Sequence, residues 1–104
     1  MAFEDFLLPD EIIQYRSPKP VEYEGELYNF YVTNDRLIWY KTKGLFFRKD
    51  SLVAVARKNV TEIKYDEEGL ITKTAFLRIG MKGKTAEING SPATIRAIYK
   101  ELQS

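Results

Sequence analysis

The hydrophobic period of the chain changes once, near residue 91, and no other feature limits the fold as much. Before that point, apolar and polar residues alternate in short runs separated by Gly, Pro, Asn and Asp, the pattern of half-buried β-strands. After it, Ile95, Ile98, Tyr99 and Leu102 fall at i, i+3, i+4 and i+7, one apolar stripe on a helix. Ser91 suits the N-cap and Pro92 the first helical position, so the spacing predicts a C-terminal amphipathic helix over 92–103. A single striped helix must cover something. About seven short strands over 12–89, followed by one helix, predict a mainly β fold: a small antiparallel barrel or sandwich with the helix closing an open end. The 104 residues suffice for one core and not for two. No internal repeat, low-complexity tract or linker divides 1–104, which reads as a single domain.

The strand pattern can be followed locally. Residues 3–13 read as a short helix or turn, with Phe3, Phe6 and Leu7 on one face before Pro9 interrupts. Residues 12–16 begin the β pattern, and Ser17-Pro18-Lys19-Pro20 breaks it with two prolines that cannot donate to a ladder. Alternation resumes over 21–24 and stops at Gly25. Segments 27–33 and 36–42 are dense in Tyr, Phe, Trp, Ile and Val, which suit a pleated surface. Asn34-Asp35 between them, two residues that tolerate positive φ, predict a tight hairpin. Lys43-Gly44 marks a break. Strands are expected at 52–57 and 60–65, then a polar turn at Asp66-Glu67-Glu68-Gly69. Residues 74–81 point Ala75, Leu77, Ile79 and Met81 to one side. Lys82-Gly83 turns the chain, and Ala86 and Ile88 follow inward. Residues 36–40 are apolar on both faces, so the pattern does not say which face is buried.

Composition removes whole classes of chemistry. The chain has no Cys and no His. That excludes a disulfide framework, a thiol nucleophile and Cys-ligated metal, and it removes the commonest general base and metal ligand. No apolar run approaches the roughly 20 residues of a spanning helix. The acidic start MAFEDFLLPDE lacks the basic and apolar regions of a signal peptide. The expectation is a soluble, cytoplasmic, non-enzymatic domain without a cofactor or metal. No P-loop, dinucleotide glycine motif or nucleophile elbow occurs. The net charge of +1 hides an asymmetry: residues 1–35 carry eight acids and two bases, and residues 36–64 carry eight bases and two acids. Either the middle segment forms a positive face that favours anions, or the two segments lie side by side as strands and neutralise each other.

The hairpin has a familiar form. Tyr31-Val32-Thr33-Asn34-Asp35-Arg36-Leu37-Ile38-Trp39-Tyr40 resembles the "hydrophobic-x-T-N-x-R-L-I-aromatic" hairpin of bacterial and archaeal pleckstrin-homology-like domains and the related GRAM domains. Leu8-Pro9-Asp10-Glu11 looks like their "L-P-G-E" lead-in. The resemblance runs from about residue 8 to the C-terminal helix. It implies a seven-stranded antiparallel barrel, strongly bent, with the helix plugging one end. The hairpin residues read as structural: Thr33 and Asn34 shape the turn, and Arg36 pairs with a carboxylate or carbonyl. Phosphoinositide-binding members resemble each other in a basic motif across the first two strands. Here that region holds Arg16 and Lys19 against Glu22, Glu24 and Glu26, with two prolines, a poor setting for a headgroup that needs convergent cations.

The segment Lys41-Thr42-Lys43-Gly44-Leu45-Phe46-Phe47-Arg48-Lys49 is the candidate contact site. Three large apolar residues stand between two pairs of cations. On an exposed loop, Leu45, Phe46 and Phe47 would enter a bilayer or a partner surface, with Lys41, Lys43, Arg48 and Lys49 meeting anionic groups. The competing reading has Phe46 or Phe47 opening the next strand and packing in the core. A third arrangement makes Tyr28, Phe30, Tyr31, Trp39 and Tyr40, with Arg36, Lys41 and Lys43, a stacking platform for single-stranded nucleic acid, which a net charge of +1 disfavours. The favoured function is a binding or assembly module that mediates protein–protein interaction or self-association through an exposed strand edge or an aromatic surface. Peripheral binding to an anionic membrane through 41–49 is the alternative.

Overall fold

The computed structural model describes residues 3–44 and 46–103. A 3-10 turn, Phe3–Phe6, precedes eight strands: β1 (Ile13–Arg16), β2 (Val21–Tyr23), β3 (Glu26–Thr33), β4 (Arg36–Lys43), β5 (Lys49–Ala56), β6 (Val60–Glu68), β7 (Thr74–Met81) and β8 (Lys84–Gly90). Helix α1 (Pro92–Gln103) ends the chain. All pairings are antiparallel, in the order β5-β4-β3-β2-β8-β7-β6, with β1 also beside β3. The count exceeds seven because the first strand is bent into two. β1 pairs with the end of β3 and β2 with its beginning, and β2 then pairs with β8 on its other side. The bend falls at the Ser17-Pro18-Lys19-Pro20 break, where the prolines offer no N–H to a ladder. That crossing of β2 from β3 to β8 curls the sheet on itself and leaves β5 and β6 at the two ends of the path.

Inward residues of both halves make one core. Val21, Phe30, Val32, Leu37, Trp39, Leu77, Ile79 and Ile88 are fully buried in it. Ile95 and Ile98 of α1 complete it, with Tyr99 and Leu102 packed alongside, as the helical stripe predicts. The Ser91 hydroxyl accepts the Thr94 N–H at 3.4 Å and caps the helix start. Burying a side chain such as Ile95 contributes about 1.5–3 kcal/mol, so the stripe fixes the helix onto the sheet.

Both faces of β4 are buried. Leu37 and Trp39 enter the core, while Ile38 and Tyr40 on the opposite face form a second cluster with Phe3. The N-terminal turn supplies that outer layer. Phe3 stacks on Tyr31 with ring centroids 3.9 Å apart, and Phe3 and Phe6 lean on Tyr40 at 5.5 and 5.8 Å. The apolar character of both faces of 36–40 therefore has a physical cause.

The lead-in and the hairpin are tied together by one carboxylate. The Glu11 side chain is fully buried. It accepts Arg36 Nε at 2.9 Å, Arg36 Nη2 at 2.7 Å, the Thr33 hydroxyl at 2.6 Å and the Leu8 N–H at 2.8 Å. Arg36 Nη2 also donates to the Phe6 carbonyl at 2.9 Å, so Arg36 meets a carboxylate and a carbonyl at once. Asn34 Oδ1 accepts the Ile12 N–H at 2.7 Å, and the Asn34 N–H donates to the Ile12 carbonyl at 3.1 Å. The turn itself differs from the expected one. Among the described non-glycine residues only Asp10 and Glu24 have positive φ, so Asn34 and Asp35 are not left-handed. Thr33 shapes the turn as expected, its hydroxyl oxygen accepting the Asp35 and Arg36 N–H groups at 3.0 and 2.8 Å.

A second correction concerns β6. The acids expected to form a polar turn lie within the strand, with Asp66, Glu67 and Glu68 opposite Phe76, Ala75 and Thr74. β6 ends the sheet path, and charged residues on such a strand face water without ending it and discourage stray pairing. The turn moves to residues 69–73.

Arg36 holds the Glu11 carboxyl at about 2, well below the ordinary 4.5; the Leu8 and Thr33 donors assist, and burial opposes. A depressed carboxyl pKa stabilises the fold above the unfolded value, and that contribution is lost as pH falls from about 4.5 towards 2. Glu11→Gln is expected to lose about 3 kcal/mol at pH 7, because it leaves Arg36 without its counter-charge. The variant should also show a flatter stability profile below pH 5. Urea midpoints at pH 7 and pH 3 check this; equal midpoints for variant and wild type at both pH values would contradict it.

Candidate binding surface

The odd-numbered face of β4 runs from the core out to one end of the sheet. Leu37 and Trp39 lie inside, and Lys41 and Lys43 continue the same face towards that end. Lys41 is 9% exposed. Its Nζ lies 4.6 Å from the Tyr28 ring centroid and 2.5 Å from Glu26 Oε1. Lys43 Nζ approaches the same oxygen, also at 2.5 Å. The Lys41 and Lys43 hydrogen bonds bring the Glu26 carboxyl down to about 2, and the Glu26 bond raises the Lys41 pKa against the burial that opposes it. Two of the four expected contact cations are thus tied to an internal carboxylate.

Beyond Lys43 the chain turns sharply. Gly44 has φ +93°, and a Cβ there would stand 2.3 Å from the Phe47 carbonyl oxygen, so only glycine fits. Lys43 pairs with Lys49 across the β4–β5 ladder, which leaves Gly44 and residues 46–48 outside the sheet. Phe46 and Phe47 are each 92% exposed. Arg48 and Lys49 are exposed, and among the described residues neither meets a carboxylate. Leu45 lies outside the described residues. The reading in which Phe46 or Phe47 opens the next strand and packs in the core is overturned: β5 begins at Lys49, and the register offers neither ring an inward position. The structure therefore splits the candidate site into Lys41 and Lys43, which share the single Glu26 carboxylate, and a protruding tip of Phe46, Phe47, Arg48 and Lys49.

The charge asymmetry is offset in part by segments that lie side by side: Arg36 meets Glu11, and Lys41 and Lys43 share Glu26, so three of the eight middle bases meet two of the eight acids of the first segment. The nucleic-acid arrangement fails on burial. Tyr28, Phe30, Trp39 and Tyr40 are buried and Tyr31 lies beneath Phe3, so these rings do not form an open stacking platform.

The sequence reading missed a second apolar tip. Between β6 and β7, Leu70 and Ile71 are fully exposed, at 101% and 99%. Gly69, φ +119°, closes this turn as Gly44 closes the first, with a Cβ position 2.1 Å from the Thr72 carbonyl oxygen. The signal was present in the letters: Gly44-Leu45-Phe46-Phe47-Arg48 and Gly69-Leu70-Ile71-Thr72-Lys73 both read glycine, leucine, large apolar, any residue, base. A shallow cavity of about 280 Å³ lies elsewhere, lined by Leu37, Arg57, Val60, Ile63 and Leu102 among others. Arg57 there is already held by the Gln14 side chain and the Thr33 carbonyl.

No family profile matches the chain, and no curated protein matches it. Among solved structures, it is similar to the crystal structure of a pleckstrin homology domain from Shewanella amazonensis, with a TM-score of 0.68 and 20% sequence identity. The match covers 95% of this chain and 86% of that one. The fold is therefore pleckstrin-homology-like: an antiparallel β structure with one C-terminal helix.

The Glu26 arrangement has a measurable consequence. Glu26→Gln is expected to lower the Lys41 ammonium pKa, because burial then acts on it without the opposing carboxylate. NMR titration of the lysine side chains reads this directly; an unchanged Lys41 titration would contradict the pairing.

Proposed function

We propose that this pleckstrin-homology-like domain is a non-enzymatic binding and assembly module that holds a protein partner through the β4–β5 tip. The observation that carries the reading is the exposure of Phe46 and Phe47, 92% each, on a turn fixed by Gly44. Burying one such ring is worth about 1.5–3 kcal/mol. A protein surface is favoured over lipid because Glu26 holds both the Lys41 and Lys43 ammonium groups and cancels one of their two charges. An anionic membrane would gain roughly 1 kcal/mol from each free cation; at the tip, Arg48 and Lys49 meet no carboxylate among the described residues.

Peripheral binding to an anionic membrane is the second reading, supported by those two cations standing beside the two rings. No helix among the described residues is long and apolar enough to cross a membrane. Recognition of inositol phosphates between the first strands is opposed by the exposed Glu22, Glu24 and Glu26 around that turn. A cytoplasmic location and a GRAM relationship belong to the same proposal, the latter supported by the hairpin and lead-in residues alone.

The test is the Phe46→Ser, Phe47→Ser double variant. Its stability is expected within about 0.5 kcal/mol of wild type, since the rings pack on nothing. Wild type should sediment as a concentration-dependent association that the variant loses, and neither should pellet with phosphatidylserine vesicles at low salt. Salt-sensitive pelleting of wild type alone would move the partner to the membrane. Identical behaviour of the two proteins in both assays would remove the tip as a contact.

A further inference from the structure

The two apolar tips sit at opposite ends of the strands and carry opposite charge. The ladder registers fix their positions. Glu22 pairs with Asn89, Asn89 with Phe76, and Phe76 with Asp66. From that row, β2 runs on to the Glu24-Gly25 turn, in the same direction as β7 runs to Met81, whereas β6 reaches Glu68 and the 69–73 turn in the other direction. Glu26, just past the Glu24-Gly25 turn, binds Lys43, so the β4–β5 tip belongs to the first end. Residues 43–49 hold three bases and no acid, and residues 66–73 hold three acids and one base. Each tip presents two exposed apolar positions: Phe46 and Phe47 on one, Leu70 and Ile71 on the other.

We propose that the β6–β7 tip of one copy receives the β4–β5 tip of a second copy, head to tail. This rests on the reading of the β4–β5 tip as a protein contact and names that partner. The rings of Phe46 and Phe47 cover Leu70 and Ile71, while Arg48 and Lys49 face Asp66 and Glu68. The acidic tip suits a basic, apolar protein segment and repels an anionic membrane, which is why a second copy is the better occupant. Because the two tips lie at opposite ends, the contact leaves one tip free on each terminal copy and propagates into a ring or an open chain. The association is weak and transient, since two Phe rings bury on the order of 300–500 Å², less than a standard stable interface.

Charge exchange tests this on the full chain. One variant carries Arg48→Glu and Lys49→Glu, and the other carries Asp66→Lys and Glu68→Lys; Glu67 is spared because it pairs with Arg96. Sedimentation velocity at low salt should show wild type associating with concentration and dissociating in high salt. Each variant alone should associate at least about tenfold more weakly, and an equimolar mixture should recover association, because each swapped tip then finds its complement. Thermal melts of both variants confirm that they fold. Wild-type monomers at every concentration, unchanged association of either variant, or a mixture that stays monomeric would overturn the proposal. If the Phe46/Phe47 variant loses association while charge exchange has no effect, the tip is a protein contact with a different receiving surface. If neither set of substitutions changes anything, both readings fall.

Discussion

Glu11 has its carboxylate covered completely, with two bonds from Arg36, one from the Thr33 hydroxyl and one from the Leu8 amide. A buried charge costs several kcal/mol unless its partner and its lone pairs are satisfied, and here they are. The consequence spreads through the molecule. Arg36 also holds the Phe6 carbonyl, which keeps the N-terminal turn over the outer face of β4. Phe3 can then stack on Tyr31 and cover Ile38 and Tyr40. Both faces of β4 are thereby covered from Leu37 to Lys41, and the tip beyond Lys43 is carried by the β4–β5 strand pair.

Much of this was legible because it depends on local periodicity. The alternation of Thr74–Met81 places Ala75, Leu77, Ile79 and Met81 inside, and all four are buried. Ser91, Pro92 and the Ile95–Ile98 spacing specify the helix. The bend dividing β1 from β2 follows from Pro18 and Pro20. Other features depend on partners distant in sequence. Nothing near Glu11 says that its carboxylate meets Arg36, although the lead-in and hairpin strings contain both ends of the bond. The acids at 66–68 read as a turn because polarity is a turn signal; an edge strand can carry the same residues towards water. The Asn34-Asp35 pair suggested left-handed residues, whereas the Thr33 hydroxyl closes the turn without them.

At the candidate surface, sequence gave the residues and structure gave their division. Lys41 and Lys43 are attracted to Glu26, seventeen residues from Lys43, because antiparallel pairing brings β3 and β4 together at that end. Neighbouring cations in the string therefore have different roles, and beyond the Glu26 cluster stands a small apolar tip with Arg48 and Lys49. Gly44 and Gly69 each permit a turn that pushes large apolar side chains away from the sheet. Such exposure has no use in the folding of a single copy, and the opposite charges around the two tips give it a use between copies.

The most direct test is a dilution series followed by amide NMR on the wild-type protein. The account predicts that concentration-dependent shifts gather in residues 44–49 and 66–73 together and fade with added salt. Shifts confined to one tip, shifts along the open edges of β5 or β6, or a spectrum that does not change with concentration would contradict it.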